Sequence, residues 1–182
     1  MVRTRVGYAG GTSPNPTYHN LGDHTEAIAM DYDPAKISYQ ELVEIFWASH
    51  VPTQKAWSRQ YMAIIFAQGD KQEQVAQETK KIMELRGRSK IYTEVAASTE
   101  FYLAEDYHQK YYLQKTPQLM EEYKNLYPEW SEFISSTAVA RVNGYIAGYG
   151  TIGALQKEIN MLGLSERGKK ILIKKKGVNV DE

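Results

Sequence analysis

Tyr18, His24, Glu26, Tyr61, Asp106 and His108 are the side chains of this chain whose types and spacing suit proton chemistry. Tyr18 closes the glycine- and proline-rich stretch "VGYAGGTSPNPTY", and His24 and Glu26 follow it directly. A carboxyl such as Glu26, flanked in sequence by apolar residues and facing phenols, can have its pKa raised by desolvation and serve as a proton donor; a structural strand glutamate is the more frequent case. His19, His24 and Glu26 superficially suggest a metal cluster. Residues two apart on a strand share a face while His19 lies in the loop, and no cysteine or HExxH pattern supports zinc, so ordinary hydrogen-bonded histidines are expected and no metal. With no G-x-S-x-G elbow, Ser38 and Ser58 read as cap or loop residues rather than nucleophiles. From the residues alone, the chemistry stays open.

The composition narrows the classes. At 182 residues and 42% hydrophobic, the chain is long enough for one sizeable core. Twenty-two basic residues balance twenty-two acidic ones, which leaves no electrostatic footprint for nucleic acid or an anionic membrane. The basic tail "RGKKILIKKKG" reads as a solvated, partly frayed terminus. No apolar run reaches membrane-spanning length and "MVRTRVGYAGG" has no secretory h-region, so a soluble, cytoplasmic, unprocessed chain is expected. There is no cysteine, which removes disulfides, thiolate zinc sites and thiol catalysis from this chain's own repertoire. Fourteen tyrosines against four phenylalanines favour half-buried sheet positions and sites that need a hydroxyl donor beside an apolar wall.

The elements that must position these residues follow from period and punctuation. Val2 to Tyr8 predicts a strand, "AGGTSPNPT" an irregular loop, and "HTEAIAMDYDP" a second strand with Thr25, Ala27 and Ala29 opposed to Glu26, Ile28 and Met30. Ser38 and Glu41 form a capping box for a helix whose stripe is Leu42, Ile45 and Phe46. "QYMAIIFA" reads as a buried strand. Asp70 opens a polar helix with Val75, Ile82 and Leu85 inward, ending at Gly87, and "KIYTEVAAS" is a further strand. "AEDYHQKYYLQ" reads as a helix, "PQLMEEYKNLYPEWSEFISS" as one or two more, and the end of the chain as a helix and a shorter one. Gly144, Gly148 and Gly150 fit no phosphate loop and read as close backbone packing. Strands separated by helices point to an α/β or α+β sandwich.

The blocks "TRVGYAGGTSPNPTYHNLGDHTEAIAMDYDPAKISYQELVEIFW", "SRQYMAIIF" and "FYLAEDYHQKYYLQ" together resemble the methionine sulfoxide reductase A family, in the family's order, from Thr4 to about Gln114. The resemblance implies a ferredoxin-like mixed sheet with packed helices. It also implies a domain over residues 1–114, N-terminally truncated, followed by a helical extension over 115–182 packed on the same domain. The implied activity is reduction of methionine-S-sulfoxide, free or in oxidised proteins, with an external thiol reductant such as thioredoxin and no cofactor, by a monomer without nucleic-acid or membrane partners. Tyr18, Tyr61 and Glu26 match the family's sulfoxide-oxygen donors, and preorganised donors aimed at an oxygen that gains charge are what a polarised S–O bond needs. Asp106 and His108 would orient substrate or brace the helix, with bracing favoured.

Two departures from the family qualify that expectation. The family's "GCFWG" nucleophile segment, expected upstream of "VGYAGG", is not in this sequence, and "PTQKAWSRQY" has no acid where many members carry "GND". The chain as written is therefore expected to be inactive unless extended upstream by a cysteine or selenocysteine segment. The alternatives are a non-catalytic binder of oxidised methionine and a structural or interaction protein using its tyrosine-rich surface. Without the family's first strand and helix, apolar sheet surface should lie exposed.

Overall fold

The computed structural model describes residues 2–87 and 89–177, so residues 178–182 of the expected C-terminal extension lie outside it. Its contacts divide the chain into two compact units. One is Val6–Glu105; the other joins residues up to Arg5 with the chain from Asp106 onward. The mixed α/β class expected from the sequence holds.

The Val6–Glu105 unit contains two sheets. β1 (Arg3–Ala9), whose first residues belong to the other unit, lies between β2 (Thr25–Asp31) and the short β5 (Tyr102–Leu103). It runs antiparallel to β5 with Gly7 opposite Leu103 and Tyr8 opposite Tyr102. β3 (Ile64–Ala67) and β4 (Glu94–Ala97) pair in parallel, Ile64 opposite Glu94. A parallel pair needs a crossover, and α2 (Asp70–Gly87) supplies it. The strands therefore form an antiparallel-edged sheet and a separate parallel pair among the described residues, rather than one ladder.

β2 alternates as its sequence predicts, with Thr25 buried and Glu26, Ile28 and Met30 exposed. Ile28 is 55% exposed, so apolar sheet surface is uncovered on this face. α1 (Tyr39–Ala48) starts at the predicted capping box: the Glu41 N–H donates to Ser38 Oγ at 3.2 Å, and the Ser38 N–H donates to Glu41 Oε2 at 2.7 Å. Its inward stripe is a correction. Val43 and Trp47 are buried with Tyr39 and Phe46 beside them, while Ile45 faces solvent. Adjacent Phe46 and Trp47 support two competing stripes in sequence; Trp47 wins because its indole N–H reaches Thr79 Oγ1 on α2 at 3.0 Å. On α2, Ala76 and Met83 turn inward, whereas Leu85 is 78% exposed, against the expected Val75, Ile82 and Leu85 stripe. The strand expected over "QYMAIIFA" shortens to Ile64–Ala67, because a 3-10 turn at Arg59–Tyr61 occupies its start.

The other unit is helical. The expected single helix over "AEDYHQKYYLQ" breaks into a 3-10 turn, Asp106–His108, and α3 (Tyr111–Gln114), with Lys110 between them at φ 50. α4 (Pro117–Leu126), α5 (Trp130–Ser135) and α6 (Thr137–Ile146) follow, then α7 (Ile152–Glu158) and α8 (Glu166–Lys175). Ser136, Thr151 and Ser165 cap α6, α7 and α8 through their hydroxyls. The final helix is longer than α7, not shorter, and the basic tail is ordered rather than frayed: Leu172 is fully buried and Ile171 and Ile173 pack beside it. Gly144 and Gly148 have no neighbour that a side chain would meet, so the close-packing reading fails there, but it holds at Gly150, where a Cβ would lie 2.6 Å from the Tyr145 ring; Gly148 and Gly150 also sit at φ 93 and φ 75, a left-handed exit from α6 that glycine adopts freely. Among the described residues no helix is long and apolar enough to cross a membrane.

Candidate functional site

The loop between β1 and β2 is held by side chains that the sequence reading passed over. Asp23 accepts hydrogen bonds from the Thr12 N–H at 2.8 Å and the Ser13 N–H at 3.0 Å, and from both hydroxyls at 2.9 and 2.8 Å. These bonds, Ser13's N–H first, hold its carboxyl well below the usual carboxylate range. His24 is buried. Its Nδ1 accepts from the Gly11 N–H at 3.2 Å, which leaves the proton on Nε2 to be donated to the Ser13 carbonyl at 2.8 Å. Further along, Thr17 and Asn20 exchange both backbone hydrogen bonds at 3.1 Å. Glu105 then locks the loop's end: Oε1 accepts from the Tyr18 N–H at 3.0 Å and Oε2 from the Tyr8 hydroxyl at 2.7 Å. The bends therefore deliver Tyr18 to a fixed place.

Tyr61 reaches the same place from the 3-10 turn. The Thr25 hydroxyl donates to the Arg59 carbonyl at 2.9 Å, tying the turn to the start of β2. Arg59 donates to the Gly10 carbonyl at 3.3 Å and pairs with Glu94 at 3.5 Å. One residue on, the Gln60 amide donates to Glu26 Oε1 at 2.7 Å. A hydrogen bond with the Tyr18 side chain, then partial burial, then the charges of Tyr18 and Glu26 push the Tyr61 phenol above its ordinary value. Tyr18, Glu26 and Tyr61 are thus brought together, and the Tyr61 phenol keeps its proton at neutral pH. Glu26 itself is exposed and fixed by Gln60, not sunk in the apolar surroundings that its sequence neighbours implied. Ile28 and Met30 share its solvent face.

The other candidates separate. His19 is exposed and meets Tyr18 edge-on at 5.4 Å, whereas His24 is spent on the loop backbone. Among the described residues no group of three His, Cys, Asp or Glu side chains could hold a metal. Asp106 and His108 open the helical unit. The Asp106 carbonyl accepts from the Gln109 N–H at 3.1 Å and the Gln114 amide at 2.7 Å, and the His108 ring lies 4.1 Å from that of Tyr107. The residues missed in sequence are Asp23, Gln60 and Glu105. Asp23 carried a local signal, an aspartate a few residues beyond a Thr-Ser pair in a turn-rich loop. Glu105 carried none, because its partners are distant in the chain.

The family model described as "Peptide methionine sulfoxide reductase" matches residues 1–140. The chain belongs to that family. A Drosophila melanogaster "Peptide methionine sulfoxide reductase" is 41% identical over 167 residues, covering 91% of this chain and 67% of the relative. "Peptide methionine sulfoxide reductase A5" of Oryza sativa subsp. japonica is 40% identical over 153 residues, 81% of this chain and 59% of the relative. The chain thus spans between 59% and 67% of the length of these two relatives. Among solved structures, methionine sulfoxide reductase A of Corynebacterium diphtheriae matches with a TM-score of 0.55 at 33% identity, over 64% of this chain and 65% of that one. The reduced form of Mxr1 from Saccharomyces cerevisiae matches with a TM-score of 0.57 at 29% identity, over 63% of this chain and 71% of that one. The likeness to the family continues past Gln114 into the helical unit.

Proposed function

We propose that Tyr18, Tyr61 and Glu26 form the oxygen-handling half of a peptide methionine sulfoxide reductase. The observation that carries this reading is the hydrogen-bonded pair of phenols beside a carboxylate, in a chain of this family. The substrate is methionine-S-sulfoxide, free or in oxidised proteins. Its oxygen accepts hydrogen bonds from the two phenols, and those bonds strengthen as the S–O bond polarises. Glu26 relays a proton to that oxygen.

The electrons come from thiols. A thiolate attacks the sulfoxide sulfur, the protonated oxygen passes from that sulfur to the thiol sulfur as the S–O bond breaks, and methionine leaves with the thiol now a sulfenic acid. A second thiol converts that to a disulfide with release of water. These 182 residues include no cysteine, so both thiols lie outside them, with a donor such as thioredoxin closing the cycle. Serine and tyrosine hydroxyls have no equivalent oxidation step. Alone, the chain acts as a binder of oxidised methionine. Asp106 and His108 brace the helical unit.

Calorimetry with methionine-S-sulfoxide tests the binding half. Measurable heat with the native chain, reduced at least tenfold in affinity in Y18F/Y61F, is expected; undiminished affinity in that variant removes the reading. In parallel, the chain with dithiothreitol should form no methionine above a no-protein control.

A further inference from the structure

A groove of about 570 Å³ lies in the Val6–Glu105 unit and is lined on one side by Tyr61 itself. That volume is in the range of pockets that enclose a drug-sized ligand or several residues of a peptide. Trp57, 83% exposed, stands over it with its ring 4.9 Å from that of Tyr61, and Val51 and Tyr92 add exposed apolar surface. A single exposed apolar residue means little, but an indole beside two phenols and a valine along one groove is the composition of a recognition surface.

The groove is preformed. Its floor is fixed by the Tyr92 N–H donating to the Pro52 carbonyl at 2.8 Å. His50 is fixed too, with Nδ1 2.8 Å from the Phe46 carbonyl and Nε2 2.8 Å from the Thr93 hydroxyl. Little ordering entropy opposes binding to such a surface.

Charge selects the occupant. Arg59 is committed to Glu94 at 3.5 Å, which leaves Lys55, without an ion-pair partner among the described residues, as the lining cation available to a ligand. One uncommitted cation among aromatic residues suits an acidic side chain, and is too few for a phosphate backbone. Continuity with Tyr61 indicates which peptide this is.

Resting on the reading above, we propose that this groove seats the chain segment flanking an oxidised methionine. Trp57 is the platform for an apolar or aromatic neighbour, and Lys55 selects acidic neighbours. The groove makes oxidised acidic peptides, rather than free methionine sulfoxide, the preferred ligand of this chain.

The test is titration of the full chain, by calorimetry and by tryptophan emission, the W57A variant separating the response of Trp57 from those of Trp47 and Trp130. The probes are a Glu-flanked methionine-sulfoxide peptide with an adjacent tyrosine, its unoxidised form, its Lys-flanked form, free methionine-S-sulfoxide and oligothymidine. The acidic oxidised peptide is expected to bind at least tenfold tighter than the free sulfoxide and the Lys-flanked form. W57A should cost peptide affinity at least five times more than it costs the free sulfoxide, and K55E should reverse the charge preference. Free sulfoxide that binds as tightly as the peptide, or a W57A variant that folds normally and loses nothing, overturns the groove while leaving the sulfoxide reading intact. Equal binding of oxidised and unoxidised peptide, or no binding of any sulfoxide, overturns both. Trp57-dependent binding of oligothymidine overturns the peptide assignment in favour of a nucleic acid.

Discussion

In the helical unit, Leu113, Leu119, Tyr123, Phe133, Val142 and Leu172 are sealed in one continuous cluster. In the Val6–Glu105 unit the buried side chains fall into two smaller groups, one around Val43, Trp47 and Ile65 and one around Tyr8, Leu21 and Ala104. Between and around those groups, order is carried by polar atoms: Asp23, His24 and Glu105 hold backbone, and the groove beside Tyr61 stays open. Stability and recognition are thus divided between regions. The unit with the large core supplies rigidity that depends on volume, and the unit with the candidate site supplies geometry that depends on hydrogen bonds.

The comparison breaks most visibly in the cores. Phe133→Ala in the helical unit should cost about 3–5 kcal/mol, the range for large buried aromatic truncations. Ile65→Ala, in the smaller group, should fall at the low end of the ~2–5 kcal/mol expected for a buried aliphatic, because its small cluster can relax around the lost side chain. Urea unfolding of both variants checks this. Equal losses would show that the smaller group resists relaxation as well as the large cluster does.

Second in size is a pH effect inside the helical unit. Lys110 is only 5% exposed, sits at φ 50, and donates its ammonium to the Thr4 carbonyl at 2.6 Å and the Thr4 hydroxyl at 2.8 Å. Burial first, and the charge of Arg5 second, lower its pKa from 10.5 to about 8. Between those values the unfolded chain holds a proton that the folded chain has released, so stability should rise as pH rises from about 8. The gain is bounded at about 3 kcal/mol by the size of the shift. The rise should reverse above pH ~10, where unfolded tyrosines ionise. Tyr123, buried and donating to the Leu162 carbonyl at 2.7 Å, has its phenol pushed far above its ordinary value and keeps its proton there. Thermal melts from pH 7 to 11 on the native chain and on Lys110→Met, which should lose the rise, decide it.

How far the sequence foretold these features differs with range. The Ser38–Glu41 capping box, the alternation of β2 and the meeting of Tyr18, Glu26 and Tyr61 were legible, the first two from local pattern and the third from the family resemblance. The inward faces of α1 and α2 were not, because Phe46 and Trp47 permit two stripes and only the far partner, Thr79, decides between them. The 3-10 turn at Arg59–Tyr61 was hidden by an apolar run that reads as strand, although it is tied down by Thr25, far away in sequence. Glu105 illustrates the general limit: a residue that positions Tyr18 from 87 positions away leaves no trace in local spacing.

Smaller effects on stability should come from the polar loop, with larger ones on binding. Asp23→Asn removes the charge that four donors converge on, so the Thr12 and Ser13 amides should exchange with solvent faster while the helical unit's amides do not change. The same carboxylate gives an acid signature. Its folded pKa is depressed, so its contribution is complete above the ordinary value of 3.8 and is lost as pH falls below it. Hydrogen exchange of the native chain and the variant at neutral pH separates loop loosening from global unfolding.

The smallest expected change is on the open face of β2. Ile28 is exposed beside Glu26 and Met30, so Ile28→Thr removes little buried area and keeps a β-branched side chain on the strand. Its effect on the melting free energy should stay within about 0.5 kcal/mol, as for most exposed substitutions. What should change is association, since this face offers uncovered apolar surface to other copies of the chain. Light scattering across a concentration series should show less self-association for Ile28→Thr than for the native chain. A cost well above 0.5 kcal/mol would instead mean that the face is covered in solution, and the site-bearing unit would then have a third apolar contact that the division between volume and hydrogen bonding does not include.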